Sequence, residues 1–257
     1  MNDLIGTKWM KRLFSAMLFA TMACPMAFAA EIRVLSAGAV APELQAFALL
    51  MQRETGHDMK IQFNTAPGIA KRLAAGEAYD ILIAPPGTID QAGKDGRVAV
   101  QSRVALGKVG AGVAVRTGVS APAIASVDAL KRALLDADSV VYNTASTGIY
   151  LDKLFEKMGI LEQLKPKTIR YPDGAAVLEH VIKGNGNEIG FGAITEIRTY
   201  EAKGLQSVGP LPAEVQNYTS YEAVMMSRTA APDAVRTVLG QLATPAAKAA
   251  FQSGGVE

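Results

Sequence analysis

The stretch Glu31-Ile-Arg-Val-Leu-Ser-Ala-Gly-Ala39 decides the fold of this chain. In its first part, Ile32 and Val34 alternate with charged side chains, a pattern typical of a β-strand with one buried face. The small residues that follow allow a tight turn, and an amphipathic helix is predicted next, over residues 42–55. A strand that turns directly into a helix is the first half of a parallel α/β unit.

The same pattern recurs along the rest of the chain. Further strands are predicted over residues 59–63, 79–84, 139–142, 168–171 and 189–194. Residues 64–68 are predicted to turn the chain into a helix that ends at residue 75, and further helices are predicted over residues 126–135, 146–158, 175–183, 231–242 and 245–253. Residues 98–115 contain two apolar segments separated by glycines, and residues 205–221 are predicted to run back in extended form.

These elements predict an α/β fold of two βα lobes joined by two hinge crossings. Residues 31–112 together with 220–257 are predicted to form the first lobe, and residues 113–219 the second. A chain that enters a second lobe and returns from it crosses twice, which leaves a cleft between two bodies that can close on a ligand.

The first 30 residues have the pattern of a secretory signal peptide. A basic start at Lys8, Lys11 and Arg12 precedes an apolar run over residues 13–28, and Ala27-Phe28-Ala29 has the small-x-small form of a cleavage site. Cleavage is therefore predicted after residue 29 or 30, with a start at Met1 or Met10. A membrane anchor and a lipoprotein modified at Cys24 are the alternatives, but the run is short for a bilayer span. The prediction is a soluble periplasmic protein without stable membrane insertion.

Charge and cysteine content exclude several classes of partner and cofactor. The predicted leader holds three of the 26 basic residues and one of the 24 acidic ones, so 23 of each remain. This neutrality argues against nucleic acid as a partner. The chain after residue 30 contains no cysteine, and His57 and His180 are its two histidines. No disulfide, metal or organic cofactor is predicted.

Four strand-to-helix turns are predicted to line the cleft, at residues 36–40, 64–69, 143–149 and 173–176. In an open α/β sheet, ligands bind beyond the carboxyl ends of the strands, where the first N–H groups of each helix attract anions. The turns are rich in small residues. These either let a ligand approach the backbone closely or merely allow a tight connection between strand and helix. The ligand-binding candidates within them are Ser36, Gly38, Ala39, Thr65, Ala66, Thr147, Gly148, Gly174 and Ala175.

Short stretches spread over nearly the whole chain after residue 30 also share one order and spacing with a known family. They are Val34-Leu35-Ser36-Ala37-Gly38-Ala39, Thr55-Gly56, Gly76 to Asp80, Thr147-Gly148-Ile149-Tyr150, Gly190-Phe191-Gly192 and the ending from Pro245 to Val256. In this respect the chain resembles the periplasmic molybdate-binding family, a branch of the type II solute-binding proteins. The resemblance implies the type II periplasmic binding protein fold, a small anionic ligand, an ABC permease as partner and a monomeric state.

The chain departs from the pattern of that family at three positions. The family holds its oxyanion with serine hydroxyls at the first two turns and a tyrosine in the last strand, where this chain has Ala39, Ala66 and Ala193. Each lost hydrogen bond is worth about 0.5–1.5 kcal/mol, and more to a charged ligand. Methyl groups in place of hydroxyls also enlarge and dry the cleft. An organic carboxylate is therefore expected in preference to molybdate.

A carboxylate ligand would normally recruit cationic side chains. Lys71 and Arg72 follow the second turn closely and are the main candidates, each with a solvated surface position as the alternative. Further candidates are Arg33, Arg170 and Arg198.

Two function classes remain open at this stage. One is a carrier that delivers a (poly)carboxylate to an ABC permease. The other follows from the resemblance, since the family includes an isomerase that interconverts cis- and trans-aconitate. Such an enzyme needs a base, for which His180 and Tyr150 are the catalytic candidates, with Asp173, Glu179 and Glu196 as further acids. A packing role is the alternative for His180, and a sensor or structural protein is a third class.

Overall fold

The computed structural model describes residues 29–257. The predicted signal peptide, with Cys24 and both possible starts, lies outside the described residues except for its last one or two residues. Within residues 29–257, no helix combines the length and the apolar character that a membrane span requires.

The described part of the chain has an α/β architecture, as predicted. The strands are β1 (Glu31–Ala37), β2 (Asp58–Asn64), β3 (Ile81–Ala84), β4 (Val104–Arg116), β5 (Ser139–Asn143), β6 (Thr168–Tyr171), β7 (Glu188–Ala193), β8 (Leu205–Pro210) and β9 (Tyr218–Met225). The helices are α1 (Ala41–Thr55), α2 (Ala66–Ala74), α3 (Pro86–Lys94), α4 (Val127–Asp136), α5 (Ser146–Lys157), α6 (Leu161–Leu164), α7 (Gly174–Lys183), α8 (Ile194–Tyr200), α9 (Pro232–Leu242) and α10 (Pro245–Gly254).

The strands form one mixed sheet in the order β2-β1-β3-β9-β4-β7-β5-β6, with β8 paired to β4. β1 is parallel to β2 and β3, and β5 is parallel to β6 and β7. The long strand β4 belongs to both sets, because its residues 104–110 pair with β9 and its residues 111–116 pair with β7 and β8. All three of those pairings are antiparallel.

These directions make the carboxyl ends of the two parallel sets face each other. β9 is antiparallel to both β3 and β4, so β4 runs in the same sense as β1, β2 and β3. β7 runs against β4, and β5 and β6 share its direction. One set therefore ends toward the second half of β4 and the other set ends toward its first half. The turns that follow the strands must meet beside the middle of β4, near Gly110 and Ala111.

The hydrophobic core divides at the same point of β4. Val109 belongs to a core built from the first parallel strands and from α1, α9 and α10, whereas Ala111 belongs to a core around Tyr142, Phe155 and Phe191. A smaller third cluster lies between α7 and the other face of the second set of strands. The boundaries given above for the two lobes stay a prediction.

Three helices, which are α3, the four-residue helix α6 and α8, and one strand differ from the sequence expectation. α3 was not predicted, because Pro85-Pro86-Gly87 has the composition of a turn although proline is tolerated in a first helical turn. α8 follows β7 directly and has no side-chain cap, so its start carries no polar signal. Instead of two apolar segments within residues 98–115, one strand of 13 residues runs from Val104 to Arg116, with a bulge next to Gly107, whose φ of 136° suits glycine alone.

Three aromatic rings stabilise the second core. Phe155 is fully buried, and its ring lies 5.7 Å from that of Tyr142 and 5.9 Å from that of Phe191, both edge-to-face. Replacing Phe155 by alanine should lower the free energy of unfolding by about 3–5 kcal/mol, because it leaves a cavity between two rings. Urea denaturation measures this change, and Leu49→Ala, at a side chain that is 59% exposed, should cost less than about 0.5 kcal/mol. Equal losses for the two variants would contradict this account.

Candidate functional site

All four predicted turns meet at one cleft with a volume of about 330 Å³. The residues that line it are Ala37, Gly38, Ala39, Phe63, Asn64, Thr65, Ala66, Pro85, Asn143, Ala145, Ser146, Thr147, Asp173, Gly174, Ala175, Ala193, Glu196 and Tyr221. The turns lead into the 3₁₀ helix Gly38–Val40 and into α2, α5 and α7. Since the first N–H groups of a helix have no acceptor within it, several donors are directed at one cavity.

The second turn is fixed by two side chains of its own. Asn64 Oδ1 accepts a hydrogen bond from Thr65 N at 2.9 Å, and Thr65 Oγ1 accepts one from Gly68 N at 3.5 Å. Gly68 is required here, because a Cβ at this position would overlap the Asn64 amide. The Thr65 hydroxyl acts as an acceptor in this cap, so its own proton is available to donate into the cleft.

The third turn is organised around Asn143. Its Oδ1 accepts hydrogen bonds from Ala145 N at 3.0 Å and from Gly148 N at 3.2 Å. The N–H groups between them, those of Ser146 and Thr147, remain at the start of α5 for a ligand. Arg170 holds the turn from behind, because its Nη2 donates to Asn143 O at 3.0 Å.

The fourth turn leaves a similar pair of donors. Asp173 caps α7, with its Oδ1 accepting from Ala176 N at 2.9 Å. The N–H groups of Gly174 and Ala175 precede that capped position and lie at the cleft.

Glu196, in the first turn of α8, places a carboxyl group between the two sets of turns. A Cβ at Gly38 would lie 2.6 Å from its Oε1, and one at Gly174 would collide with its Oε2. Thr195 fixes this end of α8 by donating from Oγ1 to Ala39 O at 2.6 Å. Burial, reinforced by the negative charge of Asp173, raises the pKa of Glu196 to about 7. A partly buried acid of this pKa can give and take a proton near neutral pH.

Tyr221, from β9, also lines the cleft. Its side chain is buried, and burial together with the nearby Glu196 raises the pKa of its phenol. The hydroxyl therefore stays protonated and can donate or accept a hydrogen bond.

Most of the predicted ligand-binding residues lie at the cleft, and four do not. Gly38, Ala39, Thr65, Ala66, Thr147, Gly174 and Ala175 line it. Ser36 is fully buried and donates to Ala37 O at 3.1 Å, while Gly148 lies beneath the third turn. Lys71 is exposed on α2, and Arg72 binds Gln62, Glu77 and Tyr79 outside the cleft.

Neither catalytic candidate lines the cleft. The ring Nδ1 of His180 lies 2.9 Å from the Tyr171 hydroxyl, in a separate surface pocket beside α7. Tyr150 donates from its hydroxyl to Val215 O at 2.7 Å and packs against the second core. His180 follows the start of α7 by six residues, which is about 9 Å along the helix axis.

The titratable side chains that do line the cleft are Asp173, Glu196 and Tyr221. Of these, Tyr221 had not been considered.

Comparisons with known proteins agree with this geometry. Residues 32–257 match the sequence profile of a family described as bacterial extracellular solute-binding protein. Among solved structures, the periplasmic molybdate-binding protein of Azotobacter vinelandii has a TM-score of 0.72 at 15% identity, covering 88% of this chain and 98% of that one. The sulfate-binding protein SubI of Mycobacterium tuberculosis has a TM-score of 0.70 at 14% identity, with 88% and 86% covered.

A relative of higher identity is an aconitate isomerase from a Pseudomonas species, which is 30% identical over 234 residues, 88% of this chain and 87% of its own length. The fold and the cleft define a two-lobed solute-binding protein of the type II periplasmic class. The chain belongs to the bacterial extracellular solute-binding protein family.

The raised pKa of Glu196 has a consequence for stability. A carboxyl whose pKa is higher in the folded chain than in the unfolded chain contributes stability below the unfolded pKa, here 4.5, and loses it as pH rises through about 7. Glu196→Gln removes this penalty, so at pH 8 it should raise the free energy of unfolding by about 1–3 kcal/mol.

Chemical denaturation at pH 4 and pH 8 measures the effect, which should vanish at pH 4. Glu201→Gln, at an exposed position just after α8, serves as the control and should change stability by less than about 0.5 kcal/mol. A Glu196→Gln protein that gains no stability at pH 8 would contradict the raised pKa.

Proposed function

We propose that this protein is a periplasmic clamp for a small organic anion with more than one carboxylate. The observation that carries the proposal is the lining of the cleft. Methyl groups of Ala39, Ala66 and Ala193 form part of the wall of a cavity of about 330 Å³, at the low end of the range for small organic ligands. A ligand with a carbon skeleton would cover these methyl groups and thereby gain free energy from apolar burial.

The negative charge of the ligand would be held by backbone rather than by cationic side chains. Among the described residues, no lysine or arginine lines the cleft. The starts of α5 and α7 each present two free N–H groups and the positive end of a helix dipole. The start of α2 adds the N–H of Ala66, since Pro67 has no N–H and Gly68 N donates to Thr65. The hydroxyls of Thr65, Ser146 and Thr147 add neutral donors. Separate carboxylates of one ligand could each occupy a different helix start.

Glu196 also argues against a compact oxyanion such as molybdate or sulfate. Its carboxyl lies between Gly38 and Gly174, where donors of both sets of turns converge. An ionised carboxylate beside a small dianion is repulsive at short range. A larger ligand can spread its charged groups over several helix starts, so that less of its negative charge lies next to Glu196.

A second candidate, isomerisation of a tricarboxylate such as aconitate, is favoured by the same side chain. The Glu196 carboxylate would take a proton from the CH₂ carbon next to the double bond, so that the C–H electrons form the new double bond and the electrons of the old double bond move to the carbon at the other end of the allyl system. The carboxyl would then return the proton to that carbon. A pKa near 7 suits both steps. The 30% identity to an aconitate isomerase over 88% of the chain adds to this candidate.

A thermal-shift panel of molybdate, tungstate, sulfate, citrate, tricarballylate, cis-aconitate and trans-aconitate tests the ligand class. A ligand at 100 times its Kd should stabilise the protein by about 2.7 kcal/mol. Organic acids are expected to raise the melting temperature, and the oxyanions are not. A shift with molybdate or tungstate alone would overturn the proposal.

A variant that fills the cavity locates the binding site. Ala175→Trp places a large side chain in the cleft at an exposed position of α7, so it should abolish the ligand-induced shift without unfolding the chain. Ala249→Trp, on the exposed face of α10, is the matched control and should keep the full shift. Binding that survives Ala175→Trp unchanged would place the ligand elsewhere.

An ultraviolet assay on trans-aconitate separates an enzyme from a carrier. If the chain is an isomerase, Glu196→Gln should reduce turnover by about 10²–10⁴-fold, the usual contribution of a general base. The control Glu201→Gln should leave turnover unchanged. Absence of conversion by wild-type protein at high concentration would exclude the isomerase and leave delivery to an ABC permease as the use of the clamp.

A further inference from the structure

We propose that Glu196 binds the ligand in its protonated form, so that ligand binding is coupled to the uptake of one proton. This inference rests on the first proposed function, the clamp for an organic anion, because a base in an isomerase would have to stay ionised after the ligand binds. It adds that Glu196 acts as a neutral hydrogen-bond donor to that anion and makes its affinity depend on pH.

The first support is the position of the carboxyl group. Both of its oxygens lie against backbone, Oε1 beside Gly38 and Oε2 beside Gly174. A side chain at either glycine would occupy this space. A Cβ added at Gly38 would lie 2.6 Å from Oε1, and one added at Gly174 would lie still closer to Oε2. The carboxyl is therefore held between the first and fourth turns, next to the N–H groups that would bind the anion.

The second support is the absence of a positive partner within residues 29–257. The groups that face the carboxyl are Asp173 at the start of α7, the phenol of Tyr221 from β9 and that of Tyr200 on α8 itself. Arg198 points away from the cleft, because its Nη1 donates to Gly254 O at 3.3 Å near Glu43 of α1. Glu196 thus has an acid and two neutral phenols around it and no cation to stabilise its charge.

A bound anion shifts the protonation equilibrium of Glu196 toward the protonated form. In the free protein, burial and Asp173 already raise the pKa of Glu196 to about 7. A carboxylate ligand brings another negative charge next to it, which raises the pKa further. At pH 8 the carboxyl would be mostly ionised before binding and protonated after it. The affinity should therefore fall as pH rises, by up to tenfold per pH unit.

Calorimetric titration with tricarballylate, which has no double bond to isomerise, tests this coupling. Titrations between pH 7.5 and 9.5 in buffers of different ionisation enthalpy give the number of protons taken up, while the carboxyl groups of the probe stay ionised. We expect an uptake approaching one proton per ligand at pH 8 and a Kd that rises up to tenfold per pH unit.

Two variants assign the proton to Glu196. Glu196→Gln keeps a neutral donor of similar shape and should bind with no proton uptake and with a Kd independent of pH, tighter than that of the wild type at pH 9. Glu179→Gln removes an exposed acid of α7 and should keep the wild-type uptake.

The wild-type titrations alone can overturn the inference. Proton uptake near zero, or an affinity that rises with pH, would show that Glu196 is not protonated on binding. Unchanged uptake in Glu196→Gln would assign the proton to another group. If the organic acids of the panel bind neither the wild type nor the Glu196→Gln variant at any pH, the proposed function fails and the inference fails with it.

Discussion

The pairing of β4 with both sets of parallel strands is the constraint on which the site depends. Its residues 104–110 pair with β9 and its residues 111–116 with β7 and β8, all antiparallel. Only with these directions do the carboxyl ends of β1 and β2 face those of β5 and β6. The helices that follow must then begin around one cavity, and their unpaired N–H groups converge there. An anion site is thus a consequence of strand direction before any side chain is considered.

The side chains of the cleft alter what that backbone can hold. Helix starts favour negative charge, yet Asp173 and Glu196 bring two acids to the same cavity. Asp173 is partly satisfied by capping α7 through its Oδ1. Glu196 has no such partner among the described residues, and burial, reinforced by Asp173, raises its pKa to about 7. On the proposal made above, a proton on Glu196 allows an anion to bind beside these acids.

The turns were predictable from sequence because each depends on a few consecutive residues. Apolar strands followed by small residues placed Gly38, Thr65 and Thr147 at the cleft without any knowledge of tertiary structure. The charged candidates were not predictable in this way. Arg72 and His180 each stand six residues after the first residue of a helix, about 9 Å from the end that faces the ligand. Nearness in sequence therefore placed both too close to the cleft.

Glu196 and Tyr221 illustrate what sequence could not supply. α8 begins at Ile194 with no polar cap, so the apolar run of β7 continues into it without a signal, and Glu196 was one of several possible acids. Tyr221 comes from β9, which reaches the cleft only through its pairing with β3 and β4. Its phenol lines the same cleft as Ala193, the position at which the resembled family has a tyrosine. A protonated Glu196 and Tyr221 can both donate to a ligand, so part of the loss of donors at Ala39, Ala66 and Ala193 is offset from other elements. The replacements stand in different places around the cavity, and this is the physical reason why the ligand should differ in size and shape from a tetrahedral oxyanion.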